Sequence, residues 1–482
     1  MKKEYFLSQR LGFTNAQAEA IRTMGVERFL KASFEMLFTE TLPPFLENAP
    51  KNRQEYRKIR QANEEEKRLI VVTEAMRNVG VAHNWQEKMY TADYPLREKM
   101  VLFWHNHFVS SFQKVKSAWA IYQQNQLFRE HAFGNFRELT KYILYDNAMI
   151  TYLDNTQNRG HAINENLSRE LLELFTLGVG NYTEQDIKEG AKALAGLNLG
   201  DEKARYYPRM ENNSEKTYLG KKGNWKADDL VKLIFDHPKA AHRISEKLLK
   251  FFVSDTHLSI GIQTSSDSKM VEEYADFLKK EDFEIKPFLE KLVRDERFLR
   301  SQGMKIKDPV SFMLQLCHEF QLDLPNAKRL IPYFQAQGMI LLNPPNVKGW
   351  DGGKTWLSSQ KLLQRVGVVS LLSSGKNFEV FKIKGEKRQE DALEMMQADA
   401  EEVFGKKQTN LLPVFNWDKT LKNNKEIIKS IADRLVFTVS KDMQQDMEQI
   451  IKYDFNPTQP NAQQAITRLA EYIMKSPEYQ II

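Results

Sequence analysis

The chain has 482 residues, of which 41% are hydrophobic and 28% are charged, a balance typical of folded globular proteins rather than disordered ones. The net charge of +6 is small for this length, and no basic tract follows the pattern of a phosphate-binding surface, so nucleic-acid binding is not expected. The single cysteine, Cys317, excludes an intramolecular disulfide and a metal cluster held by several thiolates. No apolar run is long enough to predict a membrane span.

The N-terminal residues do not have the pattern of an export signal. Lys2 and Lys3 are followed by an acidic residue, and Gln9 and Arg10 interrupt what would be the apolar core of a signal peptide. We therefore predict a cytoplasmic protein. The alternative is an exported or periplasmic protein from whose sequence the signal peptide has been removed.

Helical patterns dominate the chain. Helix start and stop signals and apolar spacings of three and four residues predict helices, in chain order, over residues 14–24, 26–38, 96–110, 136–145, 166–177, 184–194, 227–235, 238–252, 268–280, 285–294 and 309–320. Residues 198–226 lack a helical period and predict a long loop or a small β-hairpin around residues 216–220. Residues 341–356 are rich in Pro and Gly and predict a shaped loop.

These elements indicate one fold class. We expect an all-α protein with one large helical domain over residues 1–482, in which the loop or small β-hairpin near residues 198–226 is an insertion. A charged connector makes residues 374–390 a weak candidate for a domain boundary. The sequence shows no internal repeat and no low-complexity segment.

Two imidazoles lie two residues apart in the run Trp104-His105-Asn106-His107-Phe108. On a helix such residues point about 200° apart, so they would face one metal ion together only from an extended or irregular segment. The helical zinc motif His-Glu-x-x-His is absent. The run therefore indicates either a site in which His105 and His107 supply nitrogen or a structural network of hydrogen-bonded polar groups packed among aromatic residues.

A second polar cluster lies at the start of the helix predicted over residues 166–177. It consists of Asn164, Glu165, Asn166, Arg169, Glu170 and Glu173. Leucines on both sides leave a narrow polar strip, which predicts half-buried carboxylates with shifted pKa values, a common property of functional sites. The alternative is a helix N-cap at Asn164 followed by an Arg–Glu network on a solvated face. We expect the two clusters to meet in space, with at most one of the two histidines facing the carboxylates.

Other polar residues adjoin these clusters. Asp154 and Asn155 end one predicted helix and are either oxygen ligands or a turn motif. Trp350, in the loop rich in Pro and Gly, either forms the wall of a pocket or packs in the core. Glycine motifs for nucleotides, a serine-nucleophile elbow and a Cys-x-x-Cys-His motif are absent, so a divalent metal is the one cofactor class left open.

Several stretches of the chain resemble a known family in the same order: residues 96–100, 103–108, 134–137, 152–155, 164–166, 169–178, 216–217 with 219–220, 344–350 and 476–479. On these motifs the chain is similar to the bacterial family catalogued as domain of unknown function 1800. The resemblance implies a mostly helical protein without an established activity, often exported and encoded beside a sulfatase-like family, domain of unknown function 1501. Many members carry a His-Asp pair where this chain has Asn212 and Asn213.

Two hypotheses for function follow. The first is a metal-assisted, hydrolase-like enzyme in which His105 and His107 supply nitrogen, Arg169 binds an anion, and the three glutamates act as ligands or as acid and base. The ligand site would then also include Asn106, Asp154, Asn155, Asn164, Asn166 and Trp350. The second is a non-catalytic helical scaffold, or a partner for a sulfatase-like exported protein, in which the polar cluster is a structural network.

Overall fold

Helices follow one another along most of the chain in the computed structural model, which describes residues 1–38, 41–52, 54–55, 59, 61–255, 265–324, 327–374, 413–421, 423–451, 455–456, 458–459 and 461–482. The α-helices are Lys3–Leu11, Ala18–Met24, Val26–Glu35, Glu64–Thr91, Leu96–His107, Phe112–Val115, Ala118–Glu130, Phe136–Leu144, Asn147–Tyr152, Asn166–Glu170, Glu184–Leu194, Ala227–Phe235, Lys239–Phe252, Ser265–Lys280, Ile285–Arg294, Glu296–Leu299, Pro309–Glu319, Ala327–Gln337, Ser359–Ser373, Asn424–Leu435, Lys441–Ile450 and Ala462–Lys475. A π-helix spans Leu171–Thr176. Among the described helices, none combines the length and apolar composition that a bilayer crossing requires.

Among the described residues, the β-strands form two short antiparallel pairs. Leu197–Asn198 pairs with Arg205–Tyr206, and Lys216–Tyr218 pairs with Lys221–Gly223. Leu219 and Gly220, which connect the second pair, both have positive φ, as a tight hairpin turn requires. The prediction of an all-α fold with a small β insertion near residues 198–226 is confirmed.

The helix Leu96–His107, hereafter the histidine helix, is buried on nearly all sides. It packs against the helices Val26–Glu35, Glu64–Thr91 and Ala118–Glu130. Among its residues, those left partly exposed are Arg97 and Asn106. Glu98 and Arg129 form a buried ion pair with two parallel hydrogen bonds, of 2.8 and 2.9 Å, which joins the histidine helix to Ala118–Glu130.

Four predicted helix boundaries differ from the structure by three or more residues. The helix expected to reach residue 38 ends at Glu35, and the helix expected from residue 268 begins at Ser265. The other two have a visible local cause. The helix expected from Thr14 begins at Ala18, because Thr14 forms a turn: its carbonyl accepts from the Ser8 hydroxyl at 2.7 Å and its hydroxyl accepts from the Ala16 amide. The helix expected to reach residue 110 ends at His107, since Phe108 leaves the helical region with ψ of 75°.

The apolar core is continuous among the described residues. Buried hydrophobic side chains form one cluster that extends from Phe6 in the first helix to Tyr479 near the end of the chain. The proposed boundary at residues 374–390 lies, from residue 375 onward, outside the described part of the chain. Whether the chain divides there stays a prediction.

The loop 341–356, hereafter the Pro/Gly loop, contacts the histidine helix through Trp350. Asn106 Nδ2 donates to the Trp350 carbonyl at 3.5 Å. The Trp350 amide donates to Asn106 Oδ1 at 2.7 Å. Gly349 has φ of +86°, and a Cβ placed there would lie 2.2 Å from the same oxygen. The close approach of loop and helix therefore requires glycine at position 349.

We predict that Gly349→Ala destabilises the protein more than Gly180→Ala. Both glycines have positive φ, but an added Cβ at Gly180 meets nothing within 4 Å. Gly180→Ala should therefore lower the free energy of unfolding by backbone strain alone, about 1–2 kcal/mol. Gly349→Ala adds a clash that breaks the bond from Trp350 to Asn106, which costs about 1 kcal/mol or more in addition. Urea unfolding midpoints measure both. Equal losses would contradict the role assigned to the Asn106 contact.

Candidate functional site

The two histidines of the Trp104–Phe108 run lie on the last turn of the histidine helix and are 1% and 2% exposed. They contact different surroundings. The His105 ring lies 5.7 Å from the Trp85 ring and 5.6 Å from the Trp350 ring. The His107 ring lies 5.9 Å from the Phe103 ring and 6.1 Å from the Phe175 ring. The helical spacing turns the imidazoles apart, so they do not converge on a shared ligand.

His105 is a neutral ring in an aromatic enclosure. Burial lowers its pKa to about 3. Its Nε2 atom has no hydrogen-bond partner among the described residues. A ring that stays neutral across the physiological range cannot serve there as a cationic acid or an anion ligand.

His107 has a polar partner that the sequence did not indicate. The ammonium Nζ of Lys247 lies 3.1 Å from His107 Nδ1 and donates to the Leu174 carbonyl at 2.9 Å. Burial, and then the nearby Lys247 and Arg243 charges, hold the pKa of His107 well below its ordinary value. In the tautomer with a free lone pair on Nδ1, the neutral ring accepts a hydrogen bond from the Lys247 ammonium. Burial also lowers the pKa of Lys247 to about 7.

Lys247 reaches this position because the helix beside it changes form. The ridge helix, defined as Asn166–Glu170 with its continuation Leu171–Thr176, is α-helical at first and then widens into a π-helix. The amide of Leu177 accordingly donates to the carbonyl of Leu172, five residues earlier, at 2.9 Å. A π turn changes which carbonyls find partners in their own helix, and such turns are frequent at functional sites. The Leu174 carbonyl is bound by Lys247 instead.

The charged residues at the start of the ridge helix form an exposed network. Arg169 donates to both oxygens of Glu184, at 2.9 and 3.0 Å, and to Glu165 at 3.0 Å. Glu184, from the helix Glu184–Leu194, was not among the predicted site residues. Surface ion pairs of this kind contribute little stability, so the network presents charge to solvent more than it holds the fold.

Glu170 is the half-buried carboxylate of the cluster. Burial, and then the neighbouring charge of Glu173, raises its pKa, while Arg169 and Lys348 act in the opposite direction. Glu173 accepts a hydrogen bond from the Tyr182 hydroxyl at 3.2 Å. Lys348 belongs to the Pro/Gly loop, so that loop and the ridge helix come close to each other at Glu170.

The remaining predicted polar residues separate into two groups. Asp154 accepts from Lys114 Nζ at 2.6 Å and from Asn166 Nδ2 at 3.5 Å, which places it beside the ridge helix. Asn155 is buried, and its amide donates to two backbone carbonyls, at 3.2 and 2.7 Å. Asn164 Oδ1 accepts from the Asn166 amide at 3.0 Å. Asn155 and Asn164 therefore shape the backbone, whereas Asp154 and Asn166 face the charged cluster.

The two stretches meet through His107, Lys247 and Phe175. The ridge helix faces His107 with the Phe175 ring and, through Lys247, with the Leu174 carbonyl. The carboxylates of the ridge helix lie outside this contact. Within the described ranges, no group of three or more His, Cys, Asp or Glu side chains is arranged to hold a metal ion.

The raised pKa of Glu170 makes a prediction about stability and pH. When folding raises the pKa of a carboxyl, the protein loses stability as the pH rises. The loss begins near the pKa of the unfolded state, about 4.3, and is complete above the pKa of the folded state. Glu170→Gln removes this loss, so we expect the variant to gain stability over wild type at pH 7 and to match it near pH 4. Urea unfolding at the two pH values measures the difference.

Glu184→Gln is the matched control. The Arg169 guanidinium lowers the pKa of Glu184, so the ionised carboxylate stabilises the fold above the unfolded pKa and this stability is lost on acidification. The Glu184 variant should therefore lose stability at pH 7. If both variants change stability in the same direction at pH 7, the assigned environment of Glu170 is wrong.

Comparison with known proteins identifies the family. The chain matches the family model described as "Protein of unknown function (DUF1800)" over residues 7–481. No match was found among curated proteins, and none among solved structures. The resemblance noted in the motifs of the sequence is confirmed, and because the matched region covers nearly the whole chain, the protein belongs to the DUF1800 family.

Proposed function

We propose that the protein acts by binding a partner protein rather than by catalysis. The proposal rests on one observation: most polar groups of the Trp104–Phe108 run form hydrogen bonds with other residues of this chain. The Trp104 indole donates to the Ala132 carbonyl at 3.1 Å, Asn106 holds the Pro/Gly loop, and His107 accepts from Lys247. Groups that are paired in this way favour a rigid scaffold, while the Nε2 atoms of His105 and His107 have no hydrogen-bond partner among the described residues.

The proposed docking face is the exposed side of the ridge helix. Its charged centre is the network of Arg169 with Glu165 and Glu184. Two exposed apolar side chains flank it: Ile163 is 36% exposed and Val179 is 76% exposed. Protein interfaces commonly combine apolar contacts with charged groups that set register and specificity.

The proposed partner is a sulfatase-like protein of the family called domain of unknown function 1501. The basis is the family resemblance, in which the two families are encoded side by side. An exported partner would place this protein in the periplasm or outside the cell rather than in the cytoplasm. A rigid helical face with a mixed charge network suits recognition of a folded protein surface.

The docking proposal makes a prediction with a matched control. Val179→Asp places a charge among the apolar contacts of the proposed face, and we expect it to weaken binding of the sulfatase-like partner about tenfold or more. Val71→Asp makes the same change at a residue that is 64% exposed on the helix Glu64–Thr91, and it should bind as wild type does. Biolayer interferometry with the co-encoded partner measures both. Equal binding by all three proteins would contradict the proposed face.

A second candidate function rests on Glu170. Burial, and then the charge of Glu173, raises its pKa, and half-buried carboxyls with raised pKa values are candidates for acid–base catalysis. The protein would then be a hydrolase-like enzyme with Glu170 as general acid, Glu173 as general base and Arg169 orienting an anion.

One pair of measurements separates the two functions. Purified protein is analysed for bound metal and screened for ester and sulfate-ester hydrolysis, in wild type and in Glu170→Gln. The binding proposal predicts no turnover above the buffer rate and unchanged partner affinity in the variant. Turnover by wild type that falls about a hundredfold or more in Glu170→Gln would establish the enzyme instead.

A further inference from the structure

A small pocket of about 60 Å³ lies beside the histidine helix. Lys99, Leu102 and Asn106 are spaced three and four residues apart, so one face of that helix forms its first wall. The other walls come from Phe251, the segment 305–308 and the Pro/Gly loop. The volume corresponds to roughly two water molecules, enough for the head group of a small ligand.

Four basic side chains line this pocket. One of them, Lys307, lies with Nζ 3.5 Å from the centre of the Tyr479 ring and has no hydrogen-bond partner among the described residues. Of the other three, two are well paired. Arg10 is 2% exposed and donates to four backbone carbonyls, at distances between 2.5 and 2.9 Å. Lys305 donates to Asp255 at 2.7 Å and to the Lys250 carbonyl at 3.0 Å. Buried cations normally have such partners, because an unpaired charge is costly to remove from water.

Lys99 is the exception among these three. It is 6% exposed, and its ammonium has one long contact, 3.5 Å, with the Ser311 hydroxyl. That hydroxyl already donates to Asp308 at 2.6 Å. The Phe13 and Phe251 rings lie 4.7 and 5.7 Å from the ammonium. Three N–H donors therefore share one distant acceptor.

Basic side chains outnumber acidic ones around the pocket. Arg10, Lys99, Lys305 and Lys307 line it together with Asp308, and Asp255 binds Lys305. An anion within reach of Lys99 would offset part of this excess.

The Pro/Gly loop adds a neutral donor and an aromatic wall. The indole Nε1 of Trp350 is buried and has no acceptor among the described residues, although Trp350 lines the pocket. Trp356 and Phe251 add aromatic surface. A buried indole N–H normally has a partner, so its absence from the chain indicates that a bound molecule supplies one.

We propose that this pocket binds a small organic monocarboxylate. The carboxylate accepts from the Lys99 ammonium and the Trp350 indole N–H, and the apolar part of the molecule contacts Phe251 and Trp356. The excess of basic side chains favours an anion, and the aromatic walls favour an apolar substituent over a fully hydrated inorganic ion. The site is independent of the docking face on the ridge helix.

The binding should depend on pH. Burial, and then the positive charges of Lys305 and Arg10, lowers the pKa of Lys99 to about 8, against the opposing effect of Asp308. A bound anion favours the protonated lysine, so affinity should fall as pH rises through about 8. Burial also lowers the pKa of Arg10, to about 9, and that of Lys305. Their titration would extend the loss to higher pH.

The test uses thermal unfolding of the full chain with sodium propionate, with the neutral isostere propionamide, and with sodium chloride at the same ionic strength. We expect propionate alone to raise the midpoint of wild type. In Lys99→Met the midpoint without ligand should rise, because an unpaired buried cation is removed, and the propionate shift should vanish. Lys31→Met, at a lysine whose side chain is 75% exposed, should keep the full shift.

Trp350→Phe tests the second contact while keeping the aromatic wall. It should weaken propionate binding about tenfold, as expected for one lost hydrogen bond to a charged group. Equal propionate shifts in wild type and Lys99→Met would overturn the site. A shift produced by inorganic phosphate or chloride, and not by propionate, would overturn the assignment to a carboxylate. A shift produced equally by propionamide would do the same.

Discussion

The structure depends on burying one helix that carries polar side chains on several faces. The histidine helix can lie in the core only because each of its faces finds a partner in a different segment. Glu98 binds Arg129, and Asn106 binds the Pro/Gly loop. His107 meets Lys247, which also binds the ridge helix. These contacts fix the positions of the surrounding elements as well as that of the helix.

Burial also decides which groups can carry charge. The two imidazoles are neutral because the core disfavours their cations, so they pack as aromatic rings. Lys247 and Lys99 lie at the edge of the core, and burial lowers the pKa of each. The Lys247 ammonium donates to the Leu174 carbonyl, whereas Lys99 lines a pocket. The carboxylates lie further out, on the ridge helix. We therefore expect any binding or chemistry at the margins of the buried run rather than within it.

Much of the fold could be predicted from local pattern. The bounds of Ala227–Phe235 and Ile285–Arg294 follow from apolar spacing, and the hairpin around Leu219 follows from turn residues. Helix geometry also predicts that the two imidazoles diverge. The role of Lys247 could not be predicted, because it lies 140 residues from His107 and depends on a π turn that no spacing signals. The pocket at Lys99 likewise combines segments distant in sequence.

The central claim is that the histidine run is a neutral, structural part of the core. Nitrogen-15 NMR of histidine-labelled protein, assigned with single substitutions at His105 and His107, tests it most directly. The account predicts that both rings keep the ring-nitrogen shifts of neutral imidazole from pH 8 down to pH 5. A titration of either ring near its ordinary pKa, about 6.5, would show a solvated, ionisable histidine and contradict the account.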